Sequence, residues 1–166
     1  NALHPAVSAS PVAFLYDKAA GRPDRFGTPD EFPIIATTYR LTEHEHYITQ
    51  NVPHLVQLQP EAFAEIPVGL AQEKGIKNGD MVRVRSKRGM VEVRALVTTR
   101  LGQLDLGGKK VWQVGVPIHW GFVGIAAELY PEKAKAWMAN SLTPFVGDAN
   151  ARTPEFKAFL VNVEKA

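Results

Sequence analysis

Between Val82 and Val97 apolar and polar residues alternate with a period of two on both sides of a short polar connection. Val82 and Val84 alternate with Arg83 and Arg85, while Val91, Val93, Ala95 and Val97 alternate with Glu92, Arg94 and Leu96. Successive side chains of a strand point to opposite faces, so this pattern buries one face and leaves the other in water. The Ser86-Lys87-Arg88-Gly89 connection makes the segment a β-hairpin. Its arginines read as a solvated strand face.

Other strands are shorter. Phe32 to Thr38 reads as a buried strand whose exit carries hydroxyls, and Phe63 to Ile66 as a second. Pro67 suits the first turn of a helix through Leu70 and Ala71, closed by Gly75 after Lys74. Leu101 to Gly108 reads as a loop, Val111 to Ile118 as a strand, and Phe156 to Val163 as a closing strand. Gly124 to Tyr130 and Glu132 to Met138 read as helical turns separated by Pro131, and Gly147 to Thr153 as polar loop. With 13 glycines and 12 prolines in 166 residues, 45% of them hydrophobic, the chain suits one globular core of many short elements. Long alternating helices are missing, so a mainly β, closed barrel with Greek-key-like or crossed connections is expected rather than a βαβ sheet. Residues 1–31 read as an arm that packs on another surface, and 32–166 as the barrel domain. The start at Asn1 suggests a piece of something longer.

The chain has no cysteine, which removes disulfides, thiolate-bound zinc, iron–sulfur ligation and a cysteine nucleophile from its own chemistry. A formal charge of +2 gives no strong overall field for nucleic acid or anionic lipid. No stretch approaches the roughly 20 apolar residues that span a bilayer. Walker loops, Gly-x-Ser-x-Gly elbows, dinucleotide glycine fingerprints and His-Glu-x-x-His pairs are absent, so no self-contained active site can be named.

The densest polar cluster is Thr37-Thr38-Tyr39-Arg40-Leu41-Thr42-Glu43-His44-Glu45-His46, directly after a buried strand. Hydroxyls, a guanidinium and imidazoles there can bind phosphate oxygens; an ordinary solvated loop is the alternative. His44 and His46, two apart in extended chain, point to one face and invite a metal, but further ligands are wanting. In His119-Trp120-Gly121-Phe122 a flat heterocycle could stack, or the aromatics could simply fill the core. Asn140, Asp148 and Asn150 offer hydrogen bonds to a base edge or caps to turns. Lys157 opens the last strand as a solvated charge or a basic contact.

Three strings carry a resemblance: Thr37-Thr38-Tyr39-Arg40-Leu41-Thr42-Glu43-His44; Val116-Pro117-Ile118-His119-Trp120-Gly121-Phe122; and Gly147-Asp148-Ala149-Asn150 followed by Thr153-Pro154-Glu155-Phe156-Lys157-Ala158-Phe159-Leu160-Val161. Together they resemble the C-terminal molybdopterin-dinucleotide-binding domain of formate dehydrogenase large subunits, most of all the respiratory, periplasm-facing type. The resemblance implies a double-psi β-barrel and a cofactor of two pyranopterin guanine dinucleotides holding molybdenum or tungsten. It also implies that the metal ligand, the catalytic residues and the iron–sulfur clusters belong to other segments, so that no catalytic or metal-ligating residue lies here. Expected partners are the remainder of the large subunit, an iron–sulfur electron-transfer subunit and a membrane cytochrome subunit; the expected location is the periplasm. By similarity Thr38, Tyr39, Arg40, Leu41, Thr42 and His44 line the pterin and phosphate region, Asn140 and Lys157 bind the cofactor, and His119 and Trp120 are further candidates. The rival reading is a stand-alone barrel that binds a protein or peptide.

Overall fold

A computed structural model of the chain describes residues 26–133, 137–144, 151 and 153–166. In chain order the strands are β1 (Ile34–Tyr39), β2 (Phe63–Pro67), β3 (Met81–Arg85), β4 (Met90–Thr98), β5 (Gln103–Leu106), β6 (Lys109–Pro117) and β7 (Phe159–Lys165). The short helices are α1 (Pro53–Leu58), α2 (Val68–Lys74) and α3 (Ala126–Leu129).

Neighbouring strands follow the order β1-β7-β3-β4-β2-β6, and β6 pairs back onto β1, so six strands close on themselves. The β1–β6 and β2–β4 pairs are parallel; the other pairs around the ring are antiparallel. Each parallel pair needs a crossing connection instead of a tight turn. Two such crossings in a six-stranded ring make the double-psi β-barrel. The inward positions are small or β-branched: Ala36, Ala64, Ile66, Val82, Val84, Val114, Val116, Val161 and Val163 each have 0% exposure. Side chains of that size fill a narrow barrel without leaving a channel.

The hairpin forms as the alternation requires, with Val82 opposite Val93 and Val84 opposite Val91. Its outward arginines are solvent-facing and paired: Arg83 with Glu92 at 2.7 Å, and Arg94 with Glu61 at 3.0 Å. Pro67 precedes α2, and Gly75 ends it with φ of 64°.

Three readings change. Leu101 to Gly108 is not a loop throughout, because Gln103–Leu106 pairs antiparallel with β6 through a turn at Gly107 and Gly108. Both glycines have positive φ, 65° and 90°, as a tight hairpin turn demands. The closing strand begins at Phe159 rather than Phe156, since residues 154–158 bend across the end of β1 before pairing starts. The segment between β1 and β2 contains a 3-10 turn at Thr49–Asn51 and helix α1, neither of which the local pattern announces. Most of the 1–31 arm, residues 134–136, Asp148 and Asn150 lie outside the described residues.

Packing demands the glycine at position 115. Gly115 of β6 lies opposite Glu65, and a Cβ there would come within 2.7 Å of Tyr39 Cε1. Gly115→Val is therefore expected to destabilise the barrel by about 1–3 kcal/mol, read as a lower urea midpoint; an unchanged midpoint would mean that the ring has room to move.

Candidate functional site

Parallel pairing of β1 and β6 brings their C-terminal ends together, with Tyr39 beside Pro117. The two segments singled out in the sequence therefore leave the barrel side by side, and Ile118 N donates to Tyr39 O at 3.2 Å. Antiparallel β7 starts at the same place, with Phe159 opposite Ala36. Topology thus gathers Thr38–His46, His119–Trp120 and Lys157, which the sequence separates widely.

The gathered residues divide by exposure. The Thr38 side chain is buried, and its hydroxyl donates to Phe156 O at 2.8 Å. The Tyr39 ring lies on the outer barrel face against Gly115 and under the Arg100 guanidinium, 5.3 Å from its centroid. Burial, together with the neighbouring Glu65 carboxylate, raises its phenol above the ordinary value and keeps it protonated. His44 is buried with both ring nitrogens engaged, Nε2 to Gln59 O at 2.8 Å and Nδ1 to the Thr49 hydroxyl at 3.1 Å. Trp120 is 2% exposed, edge-on to His44 and Phe63, and belongs to the core. These four side chains hold the loop in place.

Others remain available. Arg40 and Thr42 are exposed. Arg40 Nη1 spans both oxygens of Glu45, at 2.7 and 2.9 Å, and this bonding holds the Glu45 carboxyl below its usual range. Both partners are more than half exposed, so solvent screens the pair and Arg40 is readily re-partnered. Lys157 Nζ donates to Thr38 O at 2.6 Å and lies 5.0 Å from the Phe156 ring centroid. That bond fixes the ammonium at the exit of β1 and leaves it further donors.

A cleft of about 520 Å³ opens beside this end, lined by His46, Tyr47, Asn51, Ile118, His119, Gly121, Phe122, Met138, Ala139 and Asn140. Among the described residues no carboxylate lines it. Asn140 is exposed on the 3-10 turn Ala139–Ser141, which the hairpin turn approaches so closely that a Cβ on Gly89 would meet Ser141 O at 2.7 Å. Arg88 Nη1 also reaches Thr143 O at 3.1 Å. His119 stands at the cleft wall, 1% exposed, accepting from Leu41 N at 2.9 Å and approached by His46 N at 3.0 Å. Burial, with His46 and His44 nearby, pushes its imidazole down to about 4. Among the described residues no group of three or more His, Cys, Asp or Glu side chains is placed to hold a metal ion.

Sequence reasoning missed Gln50 and Thr49. Gln50 is fully buried, and its Nε2 donates to His119 O at 3.3 Å. The Thr49 hydroxyl takes the Glu45 N–H at 2.8 Å while meeting His44. Neither belongs to a motif or a periodic pattern, so only the folded loop reveals them. Tyr47, Phe122 and Met138 form an apolar rim, 64%, 49% and 56% exposed.

Residues 34–160 match the model of the family described as "Molydopterin dinucleotide binding domain". The chain belongs to this family. All 166 residues of this family member align at 51% identity with the major subunit of the nitrate-inducible formate dehydrogenase of Escherichia coli (strain K12), covering 15% of that protein. The formate dehydrogenase major subunit of Haemophilus influenzae is 41% identical over 99% of the chain, again across 15% of its own length. The formate dehydrogenase alpha subunit of Megalodesulfovibrio gigas is 42% identical over 81% of the chain and 13% of its length. The domain thus spans about 15% of the length of the first relatives it matches. Among solved structures, acetylene hydratase from Pelobacter acetylenicus superposes with a TM-score of 0.61 at 16% identity, over 83% of this chain and 19% of that one; this likeness speaks for the fold.

Proposed function

We infer that this domain caps a molybdopterin guanine dinucleotide cofactor in a molybdenum- or tungsten-dependent formate dehydrogenase and is not catalytic alone. The observation that carries the reading is the meeting of the first two recognised segments with the described part of the third at one end of the barrel, beside a cleft whose polar groups include donors and, among the described residues, no carboxylate. Such a donor set suits a ligand rich in phosphate and carbonyl oxygens. The apolar lining and volume suit part of a flat heterocycle, and the rest of the cofactor would be held by the remainder of the large subunit.

Arg40, Thr42, Asn140 and Lys157 would touch the cofactor, with His119 and the main chain around Leu41 behind them. Thr38, Tyr39, His44 and Trp120 would support these groups through the bonds already described. When bound, the pterin-held metal would supply the two-electron oxidation of formate to carbon dioxide. This chain's part is to orient the cofactor and exclude water, the protein's usual contribution in a cofactor enzyme. Arg40 would exchange its exposed Glu45 partner for a phosphate oxygen; Lys157, already fixed on Thr38, would need no reordering.

The exposed rim of Tyr47, Phe122 and Met138 would be covered by the remainder of the large subunit, on which the 1–31 arm would also pack. An iron–sulfur subunit would receive the electrons and pass them to a membrane cytochrome subunit. No helix among the described residues is long and apolar enough to cross a membrane. A periplasmic location is part of the same proposal, for which the nitrate-inducible relative speaks.

Lys157→Ala and Arg40→Ala in the intact protein are each expected to weaken cofactor retention about tenfold to a hundredfold, the worth of one charge-assisted hydrogen bond. Extracted pterin, measured by fluorescence after oxidation, reads the effect. Pterin content equal to wild type in both variants would refute these assignments, and a wild-type protein devoid of pterin would refute the function.

A further inference from the structure

We propose that Asn78–Gly79 is a site of spontaneous deamidation, and that the barrel gates it by tying the turn to β4, with Arg94 as the clamp. The turn stands at the other end of β7 from the cleft, where Lys165 pairs with Val82 and its ammonium meets Asp80 at 2.9 Å.

In an asparagine–glycine pair the main-chain nitrogen attacks the side-chain amide readily, because glycine has no Cβ to obstruct ring closure. Residues 77–80 form a β-turn, closed by Asp80 N donating to Lys77 O at 3.1 Å, with Gly79 at φ of 86°. A positive φ at the third position belongs to a type II turn and selects glycine there. Asn78 and Gly79 are both exposed, and among the described residues nothing lies within 4 Å of a Cβ built on Gly79. Water and hydroxide therefore reach both reacting groups.

The reaction balances with water as co-reactant. Hydroxide takes the Gly79 N–H proton, the nitrogen bonds to Asn78 Cγ, and the amide nitrogen departs as ammonia with a proton from water, which restores the hydroxide. The succinimide then takes up one water. Opening at one carbonyl gives aspartate, at the other isoaspartate.

Both reacting groups are engaged in the fold. Gly79 N donates to Ala95 O at 2.8 Å, and Asn78 Oδ1 accepts from Val97 N at 2.9 Å. Arg94 Nη1 donates to Gly79 O at 3.1 Å while its Nε holds Glu61 at 3.0 Å. All three bonds anchor the dipeptide to β4. Ring closure requires Gly79 N to turn from Ala95 O toward Cγ, and the amide to swing off Val97, so the reaction waits for local opening of the turn. Aspartate keeps an acceptor for Val97 N. Isoaspartate lengthens the main chain by one atom, so the bonds to Ala95 and Arg94 cannot both re-form. The turn then stays open just before β3 begins its pairing, Met81 opposite Arg94.

The test follows the peptide containing residues 78 and 79 of the intact protein by mass spectrometry during incubation in mildly alkaline buffer, with isoaspartate read by enzymatic methylation. Folded wild type is expected to deamidate there about tenfold to a hundredfold more slowly than the same protein in urea, the worth of the two hydrogen bonds that must break. Arg94→Leu should react about threefold to tenfold faster than wild type when folded, and at the wild-type rate in urea. Arg94→Lys keeps a donor for Gly79 O and should restore most of the protection. Arg83→Leu removes a similarly exposed strand arginine that pairs with Glu92, and should match wild type. No product at 78 in urea would overturn the site. Equal rates in folded and unfolded protein would overturn the gate. An Arg94→Leu rate equal to that of Arg83→Leu, or an Arg94→Lys rate equal to that of Arg94→Leu, would overturn the clamp.

Discussion

Replacing Trp120 by alanine is expected to lower stability by about 3–5 kcal/mol, the range for removing a large aromatic side chain from a packed core. Trp120 is 2% exposed and sits edge-on to His44 and Phe63, with ring centroids 5.3 and 6.3 Å away. Its carbonyl also accepts from Trp137 N at 3.0 Å, tying the β6 exit to the far side of the cleft. The cavity left by alanine would thus open beneath His44 and loosen the loop that carries Arg40. Trp120→Phe should cost much less. The buried indole Nε1 has no hydrogen-bond partner among the described residues, so phenylalanine keeps most of the packing and forfeits none of the bonds seen there. Urea unfolding of both variants checks the pair of values; an alanine variant within about 1 kcal/mol of wild type would show that the indole is not part of the core.

The second large effect is a dependence on pH through His119. Its folded-state pKa is lowered to about 4 from 6.5, first by burial and then by His46 and His44; Arg40 acts in the same direction, and Glu45 opposes them. A depressed histidine pKa means that the unfolded chain takes up the proton first as pH falls. Stability is therefore full above about pH 6.5 and is lost progressively down to about pH 4. Allowing for partial solvent screening, this amounts to at most about 2 kcal/mol. Below the folded pKa the imidazolium has no lone pair left for the Leu41 N–H, so the 41–46 loop should detach as well. Wild type and His119→Gln compared by urea unfolding from pH 7 to pH 4 give the measurement. The loss should be shallower in the variant, and parallel curves would assign the acid sensitivity to other groups.

Both predictions turn on residues with different legibility. His119 and Trp120 stand together in a recognisable string, yet the string does not say that one ring borders a cleft and the other fills the core. Alternation on a strand would send them to opposite faces, but they follow β6 rather than lie in it, so period-two reasoning stops at Pro117. His44 and His46 likewise suggested a common face. In the folded loop His44 is buried and fully bonded while His46 lines the cleft, because the left-handed turn at His46 breaks the extended geometry that the spacing assumed.

The barrel's elements were legible for a simple reason: valines at every second position and glycines at tight turns are local consequences of strand geometry. Even the missed β5 carries its signal in Gly107-Gly108 between alternating flanks. Resemblance in three short strings supplied the family, since those residues recur in one order. Tertiary structure alone decided the rest. The pairing of β7 beside β1 brings Lys157 onto the carbonyl of Thr38, 119 residues earlier. The pairing of β1 with β6 lets the His119 imidazole hold the Leu41 N–H at the start of the loop. Contacts of that range depend on how strands close around a ring, a property of the whole chain that no local stretch of residues encodes.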